Sequence, residues 1–354
     1  MSEMTSLERM TAFAKGEPID RIPATLSFGE TACSLHGVSV VDYSFDSDIM
    51  SETEIKTYEM FKSDGTNLSI TLRGIAEAMG SELDYKPDAI SMVINPVVKK
   101  VEDIDNLKLV DPNKDGRLPI VLEALVKLKN KVGKEVGVSA GMAGPVSVAV
   151  NVCGAENFLK WTRKAPDKVK QMLEIINESN KRYIDELAKR EVFSTSISDP
   201  VTSTDLLSRS QFLEFSLPYY KDLVEHIFKT LGKKPATHIC GHSKGIWKDI
   251  VETGVASFSI DNVEDLAEAK GIIGNDILIV GNVPPVDVLQ RGDRESIRNS
   301  VKECILKAYD SPKGYMVSSG CQVPLGMPKE NVAYYYEACR EFGKYPIDVD
   351  KLRS

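Results

Sequence analysis

From residue 66 onward, short apolar or β-branched runs alternate with longer stretches of helical period, and this alternation constrains the fold more than any other feature of the chain. The runs at 66–72, 136–140, 193–198, 236–240, 257–260, 277–281 and 315–318 read as strands, and 20–27 supplies a first one. Amphipathic helices at 120–132, 167–190, 211–231 and 331–342 separate the later runs. Strands alternating with helices make parallel strands joined by helical crossovers. About eight of them predict an α/β fold of the closed (β/α)8 TIM-barrel type. An open α/β sheet is the alternative on pattern alone, although no Gly-x-Gly-x-x-Gly turn follows an early strand to support a dinucleotide fold. Residues 1–65 read as an N-terminal helical and loop extension plus the first strand, and 66–354 as the remainder of one barrel domain. A Thr5/Glu8 capping box opens a helix to Lys15, a Ser51/Glu54 pair predicts another toward Lys62, and Ser208/Gln211 precedes the helix at 211–231. The polar stretch 27–47 is expected as a lid or a surface excursion, and 89–109 as an inserted β-excursion.

Barrel enzymes carry their sites at the carboxyl ends of the strands, and here those ends are polar and rich in Gly and Pro. They read Gly141-Met142-Ala143-Gly144-Pro145, Ser198-Asp199-Pro200, His238-Ile239-Cys240-Gly241-His242, Asp261-Asn262, Gly281-Asn282-Val283-Pro284-Pro285 and Ser318-Ser319-Gly320-Cys321. One such end is a turn; six in succession predict a shared ligand-binding mouth.

The formal net charge of -8 argues against general nucleic-acid binding, which needs a basic surface. No run of about 18 apolar residues is present to span a membrane. The segment from Met1 to Met10 lacks the apolar core of a secretory signal. Six scattered cysteines do not make a disulfide framework, so a cytoplasmic setting is expected. There, a cysteine close to a histidine raises metal binding.

His238 and Cys240 stand at i and i+2 of a strand and therefore point to one face. Cys321 ends the last strand, within reach across a closed mouth. Two thiolates and an imidazole suit Zn2+, and three protein ligands leave one position open, as in catalytic zinc sites. Cys304 and Cys339 fall in predicted helices and read as packing residues, while Cys33 and Cys153 are left open. His226 reads as a helix-surface residue and His36 lies near Cys33 in sequence.

The His238-Ile239-Cys240-Gly241 segment with Cys321 after Gly320 resembles the H-x-C…C zinc motif of the methylcobamide:coenzyme M methyltransferases, within the uroporphyrinogen decarboxylase superfamily. Further similar stretches are Lys15-Gly16-Glu17-Pro18-Ile19-Asp20-Arg21-Ile22-Pro23, Glu77-Ala78-Met79-Gly80, Gly144-Pro145-Val146, Ser198-Asp199-Pro200-Val201 and Gly281-Asn282, so the likeness runs nearly end to end. It implies a corrinoid-dependent methyltransferase holding Zn2+ on His238, Cys240 and Cys321, with Glu77 as a candidate fourth ligand. The implied partners are a methylated corrinoid protein and a small thiol such as coenzyme M. Arg73 and Lys244 are candidate contacts for an anionic acceptor, and Asp199, Asn282 and His242 for the mouth.

Two alternatives keep the superfamily. One is a corrinoid methyltransferase with another donor or acceptor, such as a methoxy compound, a methylamine or tetrahydrofolate. The other is a decarboxylase-like lyase, but the Arg-Gln-Ala-Gly-Arg segment of that family is replaced here by Leu26-Ser27-Phe28-Gly29-Glu30. A third reading is a non-catalytic corrinoid-binding protein braced by zinc.

Overall fold

The computed structural model describes residues 3–353. Its strands, in chain order, are β1 (Thr66–Ser69), β2 (Glu82–Lys86), β3 (Ala89–Asn95), β4 (Val138–Ala143), β5 (Ser194–Ser198), β6 (Ala236–Ile239), β7 (Ser257–Ile260), β8 (Leu278–Val283) and β9 (Tyr315–Ser319). Seven form one parallel sheet in the order β1-β4-β5-β6-β7-β8-β9. That order follows the chain, as a barrel wound in one direction requires. β2 and β3 form a separate antiparallel hairpin. The inserted excursion therefore begins at Glu82, ahead of the expected residue 89.

The eighth position is filled without a regular strand. The stretch expected as the first strand, 20–27, makes only isolated bridges, Ala24 to Val317 in parallel and Arg21 to Lys344 antiparallel. Val317 N–H donates to Pro23 O, Thr25 N–H donates to Val317 O, and Asp64 N–H donates to Ala24 O, which joins β9 to the edge ahead of β1. Pro23 has no N–H to give, so a continuous ladder cannot form there. The carboxylate of Asp64 locks the closure: it accepts from Arg9 Nη1 at 2.6 Å, Arg21 Nη1 at 2.6 Å and Ala24 N–H at 2.7 Å.

Two helices differ from expectation. The helix toward Lys62 spans Ser47–Phe61 and is capped by Asp46, which accepts from the N–H groups of Asp48 and Ile49. Ser51 and Glu54 thus lie inside it, with Ser51 bonding back to Asp48 O and Glu54 accepting from Tyr43. The helix expected at 211–231 is two, Arg209–Phe215 and Leu217–Leu231. Pro218 lacks an N–H and its ring crowds the preceding turn, so the helix breaks at Ser216. The capping boxes at Thr5/Glu8 and Ser208/Gln211 are both present.

Burial alternates along β1, β5 and β6, while β4, β7, β8 and β9 are buried at most positions. Leu68, Ile197, Ile239, Phe258, Ile260 and Ile279 pack beneath the helices in one continuous apolar cluster with side chains such as Val121, Leu173, Ile184, Leu223 and Ile305. The inward positions are polar and partly open: Asn67 and Ser69 of β1, Ser139 of β4, Ser194, Ser196 and Ser198 of β5, His238 of β6. The core is therefore the layer between sheet and helices, and the barrel axis holds a cavity of about 370 Å3.

Candidate metal centre

β6 places His238 at its penultimate position, with Ser198 of β5 and Ser259 of β7 as its cross-strand neighbours. Cys240 follows on the same face. Gly241 then adopts φ +72, and a side chain there would meet Asp205 Oδ2 at 2.3 Å, so only glycine turns the chain here. Cys321 arrives from the loop after β9. The three side chains meet: His238 Nε2 lies 3.1 Å from Cys240 Sγ, and Cys240 Sγ 3.3 Å from Cys321 Sγ. Both cysteines are free thiols lining the axial cavity with His238.

A fourth group joins them. The ligand-type atoms of His238, Cys240, Asp261 and Cys321 all lie within 4.8 Å of one another. Asp261 follows β7 and continues the β6–β7 register, in which His238 pairs with Ser259. Two residues further along, the same register places it beside Cys240. Sequence reading named Asp261 only as part of a strand end, although its parity with Ser259 was available as a signal. Its oxygens accept from the N–H groups of Gly241 at 2.9 Å and Val263 at 3.1 Å, so it also anchors the turn after Cys240.

The set fits a thiophilic divalent cation. His238 Nδ1 lies 3.2 Å from Ser259 O and 3.1 Å from Ser259 Oγ. A carbonyl can only accept, so we assign the ring proton to Nδ1, which leaves the Nε2 lone pair facing the two sulfurs. Burial pulls the His238 pKa down, but its hydrogen bond to Cys321 and the charge there raise it overall. The Cys240 hydrogen bond, opposed by burial, brings the Cys321 thiol well below the ordinary cysteine value. Cys240, which gives that bond and is buried, moves strongly upward. One thiol is thus poised to lose its proton, and a cation would draw off the second.

The other sequence candidates lie elsewhere. Glu77 does not reach the cluster: its oxygens accept from Arg117 Nε at 3.0 Å and Tyr85 OH at 2.9 Å. Arg73 lines the cavity, but its guanidinium is tied to Glu30 Oε1 at 2.6 Å and Ser91 Oγ at 3.2 Å. Lys244 is exposed and paired with Glu268. His242 is 63% exposed, and its Nδ1 stands 2.9 Å from Asp205 Oδ1, tying the β6 loop to the β5 loop. Asp199 is fully buried behind the mouth and accepts from Ser147 N–H at 2.8 Å and Ser147 Oγ at 2.6 Å. It caps the helix Pro145–Cys153, which precedes it rather than follows it. Burial, partly offset by these bonds, raises its pKa to about 6. Asn282 donates to Asp261 O at 3.0 Å and Glu264 O at 2.8 Å and so fixes the loop that presents Asp261.

Cys33, Cys153, Cys304 and Cys339 are all buried and free. Burial raises their thiols to about 11 or about 12, as suits packing residues. His36 pairs with Thr57 Oγ1 and His226 with Asp185 Oδ1, both away from the cluster. Among the described residues no helix is long and apolar enough to cross a membrane.

The family model described as uroporphyrinogen decarboxylase (URO-D) matches residues 5–342. The chain belongs to the URO-D family. Similar proteins include a methylated-thiol–coenzyme M methyltransferase of Methanosarcina mazei, 28% identical over 96% of this chain and 90% of that protein. A methylcobamide:CoM methyltransferase MtaA of Methanosarcina barkeri is 27% identical over 97% of this chain and 99% of its own length. The chloroplastic uroporphyrinogen decarboxylase 2 of Arabidopsis thaliana is also 27% identical, over 95% and 86%. Among solved structures, a methyltransferase from Methanosarcina mazei superposes with a TM-score of 0.86 at 26% identity, covering 96% of this chain and 99% of that one. The URO-D family match and this superposition agree with the curled, TIM-barrel-like parallel sheet.

Proposed function

We propose that this chain is a corrinoid-dependent methyltransferase that moves a methyl group between a methylated corrinoid protein and a thiol, with zinc held by His238, Cys240 and Cys321. One observation carries the reading: an imidazole nitrogen and two thiol sulfurs converge at the mouth of a hydroxyl-lined cavity, with a carboxylate beside them. A decarboxylase has no use for that donor set, and the methyltransferases among the relatives support the same choice.

Bound there, zinc would supply a Lewis acid that keeps an incoming thiol deprotonated near neutral pH. The chain's own groups do the rest. Ser259 fixes the tautomer and plane of His238. Asp261 ties the turn after Cys240 to the β7 end, and Asn282 fixes that end in place. The serines of β4 and β5 offer the acceptor's tail hydroxyl partners inside the barrel, and among the described residues Arg73 is the one lysine or arginine side chain lining the cavity. In the transfer, the acceptor sulfur attacks the methyl carbon, the S–C bond forms as the Co–C bond breaks, and the corrinoid leaves with the electron pair. Coenzyme M is the acceptor the relatives' names suggest, and this chain's own acceptor is part of the proposal.

The test is metal analysis combined with loss of the methyl–cobalt absorbance of methylcobalamin in the presence of 2-mercaptoethanesulfonate, homocysteine, cysteine and other small thiols. About one zinc per chain and thiol-dependent demethylation are expected. Absence of stoichiometric metal, or no demethylation with any thiol, sinks the reading.

A further inference from the structure

Beside the mouth, between the helix Ala155–Lys164 and the loop after β5, lies a second concavity of about 430 Å3 lined by Leu159, Lys160, Arg163, Lys164, Leu206 and Gln211. Its three cations sit at i, i+3 and i+4 of one helix and repel one another. Among the described residues no ion pair or side-chain hydrogen bond engages them, whereas the next lysines along the chain, Lys168 and Lys170, are paired with Asp105 and Glu214. The helix dipole favours Arg163 and Lys164 in its last turn. It does not account for Lys160, nor for the apolar floor.

Exposed apolar residues continue from this patch around the metal centre. Leu206 is 51% exposed on the loop after β5, Val263 51% on the loop after β7, and Val286 37% after β8. Leu206 belongs to both features and adjoins Asp205, which holds His242 two residues beyond Cys240. Apolar contacts flanked by charge of one sign are how a specific protein interface is built. In a chain of net charge -8, a concave cluster of three positive charges is a local exception that selects for an acidic partner.

We propose that Lys160, Arg163 and Lys164 form the docking site for an acidic face of the protein that delivers the methyl group, with Leu206, Val263 and Val286 as the apolar contact around the mouth. This rests on the methyltransferase reading, because a methyl carried on a corrinoid must be brought over Cys240 and Cys321 by the protein that holds it. The basic patch steers and orients that protein, and the free corrinoid does not need it.

The experiment compares the wild-type chain with Lys160→Glu/Arg163→Glu/Lys164→Glu and with the milder Lys160→Gln/Arg163→Gln/Lys164→Gln. The first probe is a fluorescein-labelled decaglutamate peptide, titrated by anisotropy at low and high salt. The second is free methylcobalamin with the thiol that serves the wild-type chain best. Peptide binding is expected to weaken roughly tenfold or more in the Glu variant, less in the Gln variant, and in the wild-type chain with rising salt. Turnover of free methylcobalamin is expected to stay within about twofold. If the wild-type chain does not bind the peptide, or the variants bind it equally well, the proposal is overturned. If free methylcobalamin turnover falls in parallel, the patch serves the corrinoid's own anionic tail, and the proposal is again overturned. Should wild-type turnover be absent with every thiol, it is the methyltransferase reading that fails, and the peptide titration still decides whether an acidic partner binds here.

Discussion

Replacing Asp64 with Asn tests how the barrel is closed. The Asp64 side chain is fully buried, and it receives Arg9 Nη1, Arg21 Nη1 and Nη2, and the Ala24 N–H. Arg9 is itself almost fully buried and Arg21 nearly so. Asn matches the shape but brings no charge and turns an NH2 toward a guanidinium. Arg9 would keep Asp20, which it meets at 2.6 and 2.7 Å, while Arg21 would be left with the Ile22 carbonyl. Removing one member of a buried ion pair costs about 3–5 kcal/mol because the other charge stays behind. Urea unfolding followed by the fluorescence of the buried Trp161 and Trp247 measures it. Replacing the Arg21–Asp64 pair with apolar residues (Arg21→Met, Asp64→Leu) while Arg9 keeps Asp20 removes both charge and partner, so most of the loss should be recovered. A loss below about 1 kcal/mol in Asp64→Asn would refute the claim that this carboxylate closes the barrel. The effect should reach the candidate metal centre too. The closing segment leads into Ser27 and Phe28, which accept from Val323 N–H and Gln322 Nε2 next to Cys321.

Three other outcomes follow from the geometry. Cys321→Ala should reduce bound zinc to a small fraction of an equivalent and abolish demethylation of methylcobalamin, with unfolding little changed; full metal retention would remove Cys321 from the ligand set. Gly320→Ala puts a Cβ 2.4 Å from the backbone nitrogen of Asn262 and must push the Cys321 loop from the β7 end, so zinc affinity measured by chelator competition should fall about tenfold or more. Asp199, raised by burial to about 6, binds a proton in the folded state that the unfolded chain has released. Its contribution is full below about pH 4 and declines by about 3 kcal/mol as pH rises through 6, so Asp199→Asn should flatten that part of the stability profile. Identical pH profiles for the two proteins would contradict it.

The fold was legible where periodicity carries it. All seven sheet strands lie within a few residues of the expected runs because each is a short apolar or β-branched stretch between turn signals. Closure was not, since Pro23 breaks the ladder and the closing bonds come from Asp64, forty residues away and in no motif. The break at Ser216 was legible from Pro218, but the apolar period running through it masked the signal. At the site, His238, Cys240 and Cys321 share chemistry that sequence spacing exposes. Glu77 failed to join them because Tyr85, on the hairpin that follows it, and Arg117, forty residues away, occupy both its oxygens. Arg73 and Lys244 likewise have carboxylate partners that only the fold brings close.

One further signal lay unread in the strands themselves. Ser194-Thr195-Ser196-Ile197-Ser198 and Ser257-Phe258-Ser259-Ile260 alternate hydroxyl with apolar or buried residues, and Asn67, Ser69 and Ser139 repeat the pattern. A barrel whose interior is a packed core would carry branched apolar residues at those inward positions. Here they are small and polar, so the sheet must take its stability from its outer face, where Ile197, Phe258 and Ile260 are buried under helices. That arrangement frees the axis for a ligand. The polar face of the strands, the axial cavity and the cysteines at its mouth therefore suit the proposed reaction together: a small acceptor would lie inside the barrel and the methyl group would arrive from outside.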